Sequence, residues 1–80
     1  MFVRDVKFAY SRYMLLRDYL LKHRISHQAF AERMGVSRPA VTFWIGGRVR
    51  PSPRHAKKIK AITKGEVGAD DLQRAWEMAQ

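Results

Sequence analysis

Residues 25–48 read ISHQAFAERMGVSRPAVTFWIGGR, and this segment determines how the domain is built. Two short segments with helical hydrophobic periodicity lie on either side of Gly35. Ser26 and Ser37 precede them, and each serine can accept a hydrogen bond from a backbone N–H of the first helical turn. Glycine at position 35 supplies the left-handed conformation in which helices commonly end. The spacing predicts two short helices joined by a sharp turn.

The apolar residues of this stretch have the sizes that close packing of two helices requires. Ala31 is small where we expect another helix to cross, and Val41 and Trp44 place the inner face of the second helix on the rest of the domain. We therefore predict a helix-turn-helix over about residues 26–46, with its second helix held out from the body of the domain. Its predicted core positions are Phe30, Ala31, Gly35, Val36, Val41, Trp44 and Ile45.

The rest of the chain predicts three further helices, which makes the domain mainly α-helical. One helix runs from Ser11 to about His23, one begins at Ser52, and one spans about residues 69–79. Residues 1–10 fit either a short strand or a helical extension. A chain of 80 residues is long enough for one small domain, so residues 1–80 are expected to form a single unit.

The charge of the chain is concentrated in its middle. The formal net charge is +9, from 16 lysines and arginines and 7 acidic residues. Residues 33–65 contain no acidic residue, and their basic residues are Arg33, Arg38, Arg48, Arg50, Arg54, Lys57, Lys58, Lys60 and Lys64. A solvated surface could account for such a run, but like charges repel one another and gain nothing in stability. Their concentration favours a surface that faces a polyanion.

The sequence has few residues that could form an enzyme active site or a metal site. It has no cysteine, and its four serines are all placed to cap helices. His23 and His27 have the spacing of a metal-binding pair, but the residues between them interrupt the helix, so both are expected at the surface. No cofactor is expected. The apolar runs are too short for a membrane span or a secretion signal, which makes the cytoplasm the expected location.

The motif resembles the Cro/CI helix-turn-helix family of phage and bacterial regulators, and within it the YdaS-like, Cro-type branch. Residues 35–47 follow the pattern G-V-S-x-P-A-V-x-x-W-I-x-G of that branch, and residues 59–67 follow its I-x-x-x-T-x-G-x-V. The resemblance covers about Leu16 to Leu72. It implies a compact five-helix, lambda-repressor-like domain that binds DNA. Phe43 departs from the small polar residue common in the branch, and residues 1–12 are longer and more apolar than its usual start.

The resemblance also implies which residues meet DNA. In the family, the third helix lies in the major groove. By position, the base-reading residues are Arg38, Pro39, Thr42 and Phe43. The phosphate-contacting residues are His27, Gln28, Ser37, Arg48, Arg50, Arg54 and Lys57. For Phe43, a lid over the domain's own core or a dimer contact are the alternatives.

The expected function is that of a sequence-specific regulator of double-stranded DNA, a Cro-like repressor that reads a palindromic operator as a homodimer in the bacterial nucleoid. The dimer surface is expected in residues 1–12 or in the helix at 69–80, where Leu72 would pack in the core and Trp76 and Ala79 are available; Tyr19 and Leu21 are further apolar candidates. An antitoxin that binds a toxin protein through a chain end is one alternative. A basic module that binds nucleic acid without sequence preference is another.

Overall fold

The computed structural model describes residues 14–80 and contains five α-helices in that part of the chain. They are α1 (Leu16–His23), α2 (His27–Met34), α3 (Arg38–Ile45), α4 (Pro53–Ile62) and α5 (Ala69–Met78). No strand occurs within residues 14–80, and the predicted mainly α architecture with a helix-turn-helix at α2 and α3 is confirmed. The alternatives for residues 1–10 and the helix start predicted at Ser11 lie outside the described residues.

Serine side chains begin three of these helices, as the sequence predicts. Ser26, Ser37 and Ser52 are the N-cap residues of α2, α3 and α4, and each has extended backbone angles. Their hydroxyls accept hydrogen bonds from the backbone N–H groups of Ala29, Ala40 and His55, at 3.0, 3.4 and 3.3 Å. Each bond satisfies an N–H that has no partner inside its helix. The caps therefore fix where the two helices of the motif start.

Replacement of Ser26 by alanine is expected to lower the free energy of unfolding by about 1 kcal/mol, the usual cost of losing an N-cap acceptor. Ser26→Asp keeps an acceptor in the same place and is expected to unfold at the wild-type urea concentration. Urea titration followed by circular dichroism measures both. An alanine variant as stable as wild type would show that the cap contributes nothing here.

The hydrophobic core is centred on the packing of α2 against α3. Phe30, Ala31 and Val41 are fully buried, so no larger residue fits at Ala31 without displacing a neighbour. The buried apolar residues are Leu16, Tyr19, Leu20, Phe30, Ala31, Met34, Val41, Trp44, Ile59, Val67 and Leu72. Val36 and Ile45 are half-buried and pack against this core. One side of α3 is therefore buried in the core, and its other side is exposed to solvent.

The first helix differs from its prediction. Met14 and Leu15 were expected inside a helix that starts at Ser11, but they are not helical, and α1 begins at Leu16. The Met14 N–H donates to Asp71 Oδ1 at 3.0 Å, which ties the entering chain to the start of α5. The proposal of Tyr19 as a spare surface residue is also wrong. Its side chain is buried and its ring lies 4.4 Å from that of His23, so it belongs to the core.

The position of Asp71 predicts a negative charge that stabilises the N-terminus of α5. In the structure its carboxylate also accepts hydrogen bonds. It is buried, and its Oδ2 accepts the Gly68 N–H at 2.7 Å while Oδ1 holds Met14. A buried carboxylate needs such donors, because an ion without partners in the interior is costly. One side chain therefore starts α5 and fixes the chain in front of α1.

Thr63 closes the connection between α4 and α5. Its hydroxyl donates to the Ile59 carbonyl at 2.8 Å and accepts the Val67 N–H at 3.1 Å, in a fully buried position. Gly65, with φ +85°, turns the chain between these contacts. The pattern of threonine, glycine and valine noted in the sequence is thus the spacing of one buried hydrogen-bonded turn.

Candidate nucleic-acid interface

The exposed face of α3 carries the four residues expected to read bases. Arg38, Pro39, Thr42 and Phe43 are all exposed, whereas Val41 and Trp44 on the other side of the helix are buried. Residues at i, i+1, i+4 and i+5 share one side of an α-helix, because each residue advances by about 100°. Their common exposure is the geometric consequence of burying the opposite side.

Arg38 is the first residue of α3 and extends from its N-terminal end. Among residues 14–80, its guanidinium makes no hydrogen bond, ion pair or ring contact. A planar guanidinium with its five N–H donors available suits bidentate recognition of an acceptor pair. This residue can engage a ligand without first breaking a contact with the described part of the protein.

Phe43 has 40% of its surface exposed and is not a member of the buried core. The Arg48 guanidinium lies 5.5 Å from the centre of its ring, within the range of a cation–π contact. The Arg48 N–H also donates to the Phe43 carbonyl at 3.0 Å. A lid over the core is therefore not the role of Phe43 in this fold. Its ring instead places the charge of Arg48 beside the C-terminal half of the exposed α3 face.

A hydrogen bond joins the start of α2 to the exposed face of α3. His27 Nδ1 and Thr42 Oγ1 are 3.0 Å apart, and which of the two donates depends on the histidine tautomer. The bond orients the Thr42 hydroxyl and keeps His27 beside α3, away from His23, which contacts Tyr19 instead. Sequence reasoning missed this pair because its members lie fifteen positions apart on different helices.

The remaining residues expected at phosphates differ in their surroundings. Gln28 Nε2 donates to Glu32 Oε2 at 3.1 Å within α2. Arg54 and Lys57 are exposed on α4, whereas Lys58 donates to the Met34 carbonyl at 3.0 Å at the C-terminal end of α2. That carbonyl end is the negative pole of the helix dipole, so Lys58 stabilises the motif from the side of α4.

Arg50 points to α5. Its Nη1 donates to Gln73 Oε1 at 2.6 Å, and its guanidinium lies 4.9 Å from the centre of the Trp76 ring. The sequence predicts Arg50 as a phosphate contact and Trp76 as a candidate dimer contact. No local signal predicts this contact, because Gln73 and Trp76 belong to a helix more than twenty positions later in the chain.

Glu66, the first acidic residue after the basic segment of residues 33–65, forms its ion pairs with the end of α1. Glu66 lies 3.2 Å from Lys22 Nζ and 3.7 Å from His23 Nε2, at the end of α1. The hydrogen bond from Lys22 lowers the pKa of the Glu66 carboxyl below its ordinary value, with a smaller contribution from His23. Glu66 is therefore ionised at neutral pH, and its charge is paired with α1.

A comparison with protein families matches residues 16–63, more than half of the chain, to the family described as helix-turn-helix. The chain belongs to this family, which is of the Cro/CI type, and it is a DNA-binding transcriptional regulator. The family is one of DNA-binding regulators and not of enzymes. No curated protein matches the chain, and no solved structure does. Helix α5 lies outside the matched residues.

The general prediction of a helix-turn-helix regulator that binds double-stranded DNA is thus confirmed. Within residues 14–80, no helix is both long enough and apolar enough to cross a lipid bilayer.

Proposed function

We propose that this regulator is a Cro-like repressor that recognises a specific operator by inserting α3 into the major groove. One observation carries the proposal: four side chains able to contact base edges share the exposed face of α3, and the opposite face is buried. The absence of acidic residues from 33 to 65 supports it, since this segment would otherwise repel phosphates. The similarity to the YdaS-like branch and a phage or prophage origin belong to the same proposal.

The proposed base contacts follow from the chemistry of each side chain. Arg38 donates two hydrogen bonds to guanine O6 and N7, the commonest specific contact in the major groove. Thr42 and Phe43 contact thymine methyl groups, and the hydrogen bond between Thr42 and His27 fixes the orientation of the Thr42 hydroxyl. Pro39 has no donor and contributes shape alone.

The proposed phosphate contacts surround this face. His27, Gln28 and Ser37 lie at the N-terminal ends of α2 and α3, where exposed N–H groups and the helix dipole favour an anion. Arg48, Arg54 and Lys57 add charge from the following loop and from α4. These contacts position the domain on DNA without reading its sequence.

We propose that two chains bind a palindrome, because one domain of this size covers too little DNA for high specificity. Leu72 and Tyr19 are buried, whereas Trp76 is half-buried with the Arg50 guanidinium 4.9 Å from the centre of its ring. The proposed dimer contact is placed on α5, at Trp76 and Ala79, where Met78 adds a side chain that is 67% exposed; Leu21 on α1 is 70% exposed and is the other candidate among residues 14–80. Residues 1–12, the other proposed surface, lie outside the described residues.

Selection from a pool of random duplex DNA, with the mass of the bound complex measured alongside, tests this function. We expect enrichment of a palindrome whose half-sites lie about one helical turn apart, bound by two chains. If about six phosphates are contacted, the affinity should fall with salt with a log–log slope near −5. If binding depends on salt but no sequence is enriched, the protein is a module that binds nucleic acid without sequence preference and not a sequence-specific repressor. A small protein that co-purifies and occupies a chain end would favour an antitoxin.

A further inference from the structure

We infer that Gln73 and Trp76 of α5 are positioning residues for DNA binding, which act by holding Arg50 and with it the loop of residues 46–51. This inference rests on the proposed function, because it assumes that Arg48 in this loop contacts a phosphate. It assigns a role in DNA binding to α5, a helix outside the residues that match the family. It also gives Arg50 a role other than the phosphate contact expected from the sequence.

Arg50 is held by two contacts of different kinds. Its Nη1 donates to Gln73 Oε1 at 2.6 Å, and its guanidinium lies 4.9 Å from the centre of the Trp76 ring. Gln73 is itself oriented, because its Nε2 donates to Glu77 Oε2 at 3.1 Å. A guanidinium fixed at both its edge and its face loses the freedom that a solvent-exposed arginine retains. The C-terminal end of the loop is thereby attached to α5.

The N-terminal end of the loop is attached to the same helix. A Cβ atom at Gly47 would lie 2.3 Å from Ala79 Cβ and 3.0 Å from the Ala75 carbonyl oxygen, so the backbone there lies directly against α5. Gln80 Nε2 donates to the Gly47 carbonyl at 3.4 Å. Attachments at positions 47 and 50 therefore bracket Arg48.

Arg48 lies between these two attachments, and its side chain contacts α3. Its guanidinium is beside the Phe43 ring, and its backbone N–H is bonded to the Phe43 carbonyl. The loop thus has one side on α5 and presents Arg48 beside the exposed face of α3. Release of Arg50 would detach the C-terminal end of the loop from α5. Arg48 would then be held by Phe43 and by the packing at Gly47 alone, so its charge would be less firmly positioned.

The test measures binding of the full chain to a fluorescein-labelled duplex of random sequence over a range of NaCl concentrations. Gln73→Met removes the acceptor and keeps the length of the side chain, and Trp76→Leu removes the ring. We expect each variant to bind about three- to tenfold more weakly at low salt, and the magnitude of the log–log salt slope to fall by about 0.9, the value for one lost phosphate contact. In an Arg48→Ala background, Gln73→Met should cause no further change.

Glu77→Gln is the matched control, because it keeps an acceptor for the Gln73 amide and leaves Arg50 in contact with the amide oxygen and Trp76. It should keep the wild-type salt slope. Circular dichroism melting of every variant separates loss of folding from loss of binding, since a smaller folded fraction lowers the apparent affinity and leaves the slope unchanged. Gln73 is half-buried and is not part of the hydrophobic core, so its variant remains informative if Trp76→Leu does not fold.

Three patterns of results overturn the inference, and they differ in whether the proposed function survives. If wild type binds with a steep slope that Arg48→Ala reduces, but Gln73→Met and Trp76→Leu bind like wild type, the inference fails and the proposed function stands. The same holds if Arg50→Ala alone reduces the slope, since Arg50 would then contact a phosphate directly. If the affinity of wild type does not depend on salt, the proposed function fails and the inference fails with it.

Discussion

Replacement of Gly47 by alanine is expected to lower the free energy of unfolding by about 2–4 kcal/mol, since it combines backbone strain with a steric clash. Gly47 has φ +74°, a left-handed conformation that costs a residue with a Cβ about 1–2 kcal/mol. The added Cβ would also lie 2.3 Å from Ala79 Cβ, so the end of α5 must move away from the loop. Chemical denaturation measures the loss.

Two further variants separate these causes. Gly65 has φ +85° with no atom within 4 Å of an added Cβ, so Gly65→Ala should show the strain alone, about 1–2 kcal/mol. In the double variant Gly47→Ala/Ala79→Gly the Cβ–Cβ clash is absent, and part of the stability should return. Equal losses for Gly47→Ala and Gly65→Ala would contradict the close packing of the loop on α5.

Replacement of Arg38 by alanine is expected to cost about 1–3 kcal/mol of binding free energy on the selected operator and little on random DNA. The reason is that a base contact contributes only where its base is present, whereas a phosphate contact contributes on any sequence. Because Arg38 has no partner within residues 14–80, its removal should leave folding stability unchanged. Fluorescence anisotropy with the two duplexes measures the difference.

Arg54→Ala is the matched control for Arg38→Ala, since it removes the same charge from an exposed position at the start of α4. It should weaken binding to both duplexes by similar factors and lower the magnitude of the salt slope by about 0.9. Selection repeated with Arg38→Ala should lose preference at one position of each half-site. An equal loss on operator and random DNA would show that Arg38 contacts phosphate and does not read a base.

The sequence predicts the helix-turn-helix well because the signals that define it are local. Ser26 and Ser37 accept hydrogen bonds from residues three positions later, and Gly35 ends α2 with φ +74°. Each of these interactions is complete within one or two helical turns. The exposure of Thr42 and Phe43 then follows from the burial of Val41 and Trp44.

The rest of the structure depends on contacts between distant parts of the chain. The start of α1 differs from its prediction because Asp71 binds the Met14 N–H across 57 positions. His27 meets Thr42, and Arg50 meets Gln73, only after the helices have packed. Composition and spacing identified Arg50 as a basic loop residue, but they hold no information on which neighbour its guanidinium would meet. The role inferred for α5 also depends on contacts between distant residues, so the sequence alone does not predict it.

Mapping of ¹H–¹⁵N chemical shifts on addition of the selected duplex shows whether the exposed face of α3 contacts DNA. We expect the largest amide shifts at Arg38, Thr42 and Phe43, with smaller ones at Ser37 and Arg48. Gly65 and other positions of the turn between α4 and α5 should remain unchanged. Large shifts confined to α1 or α5, with the exposed face of α3 unaffected, would show that α3 does not bind DNA.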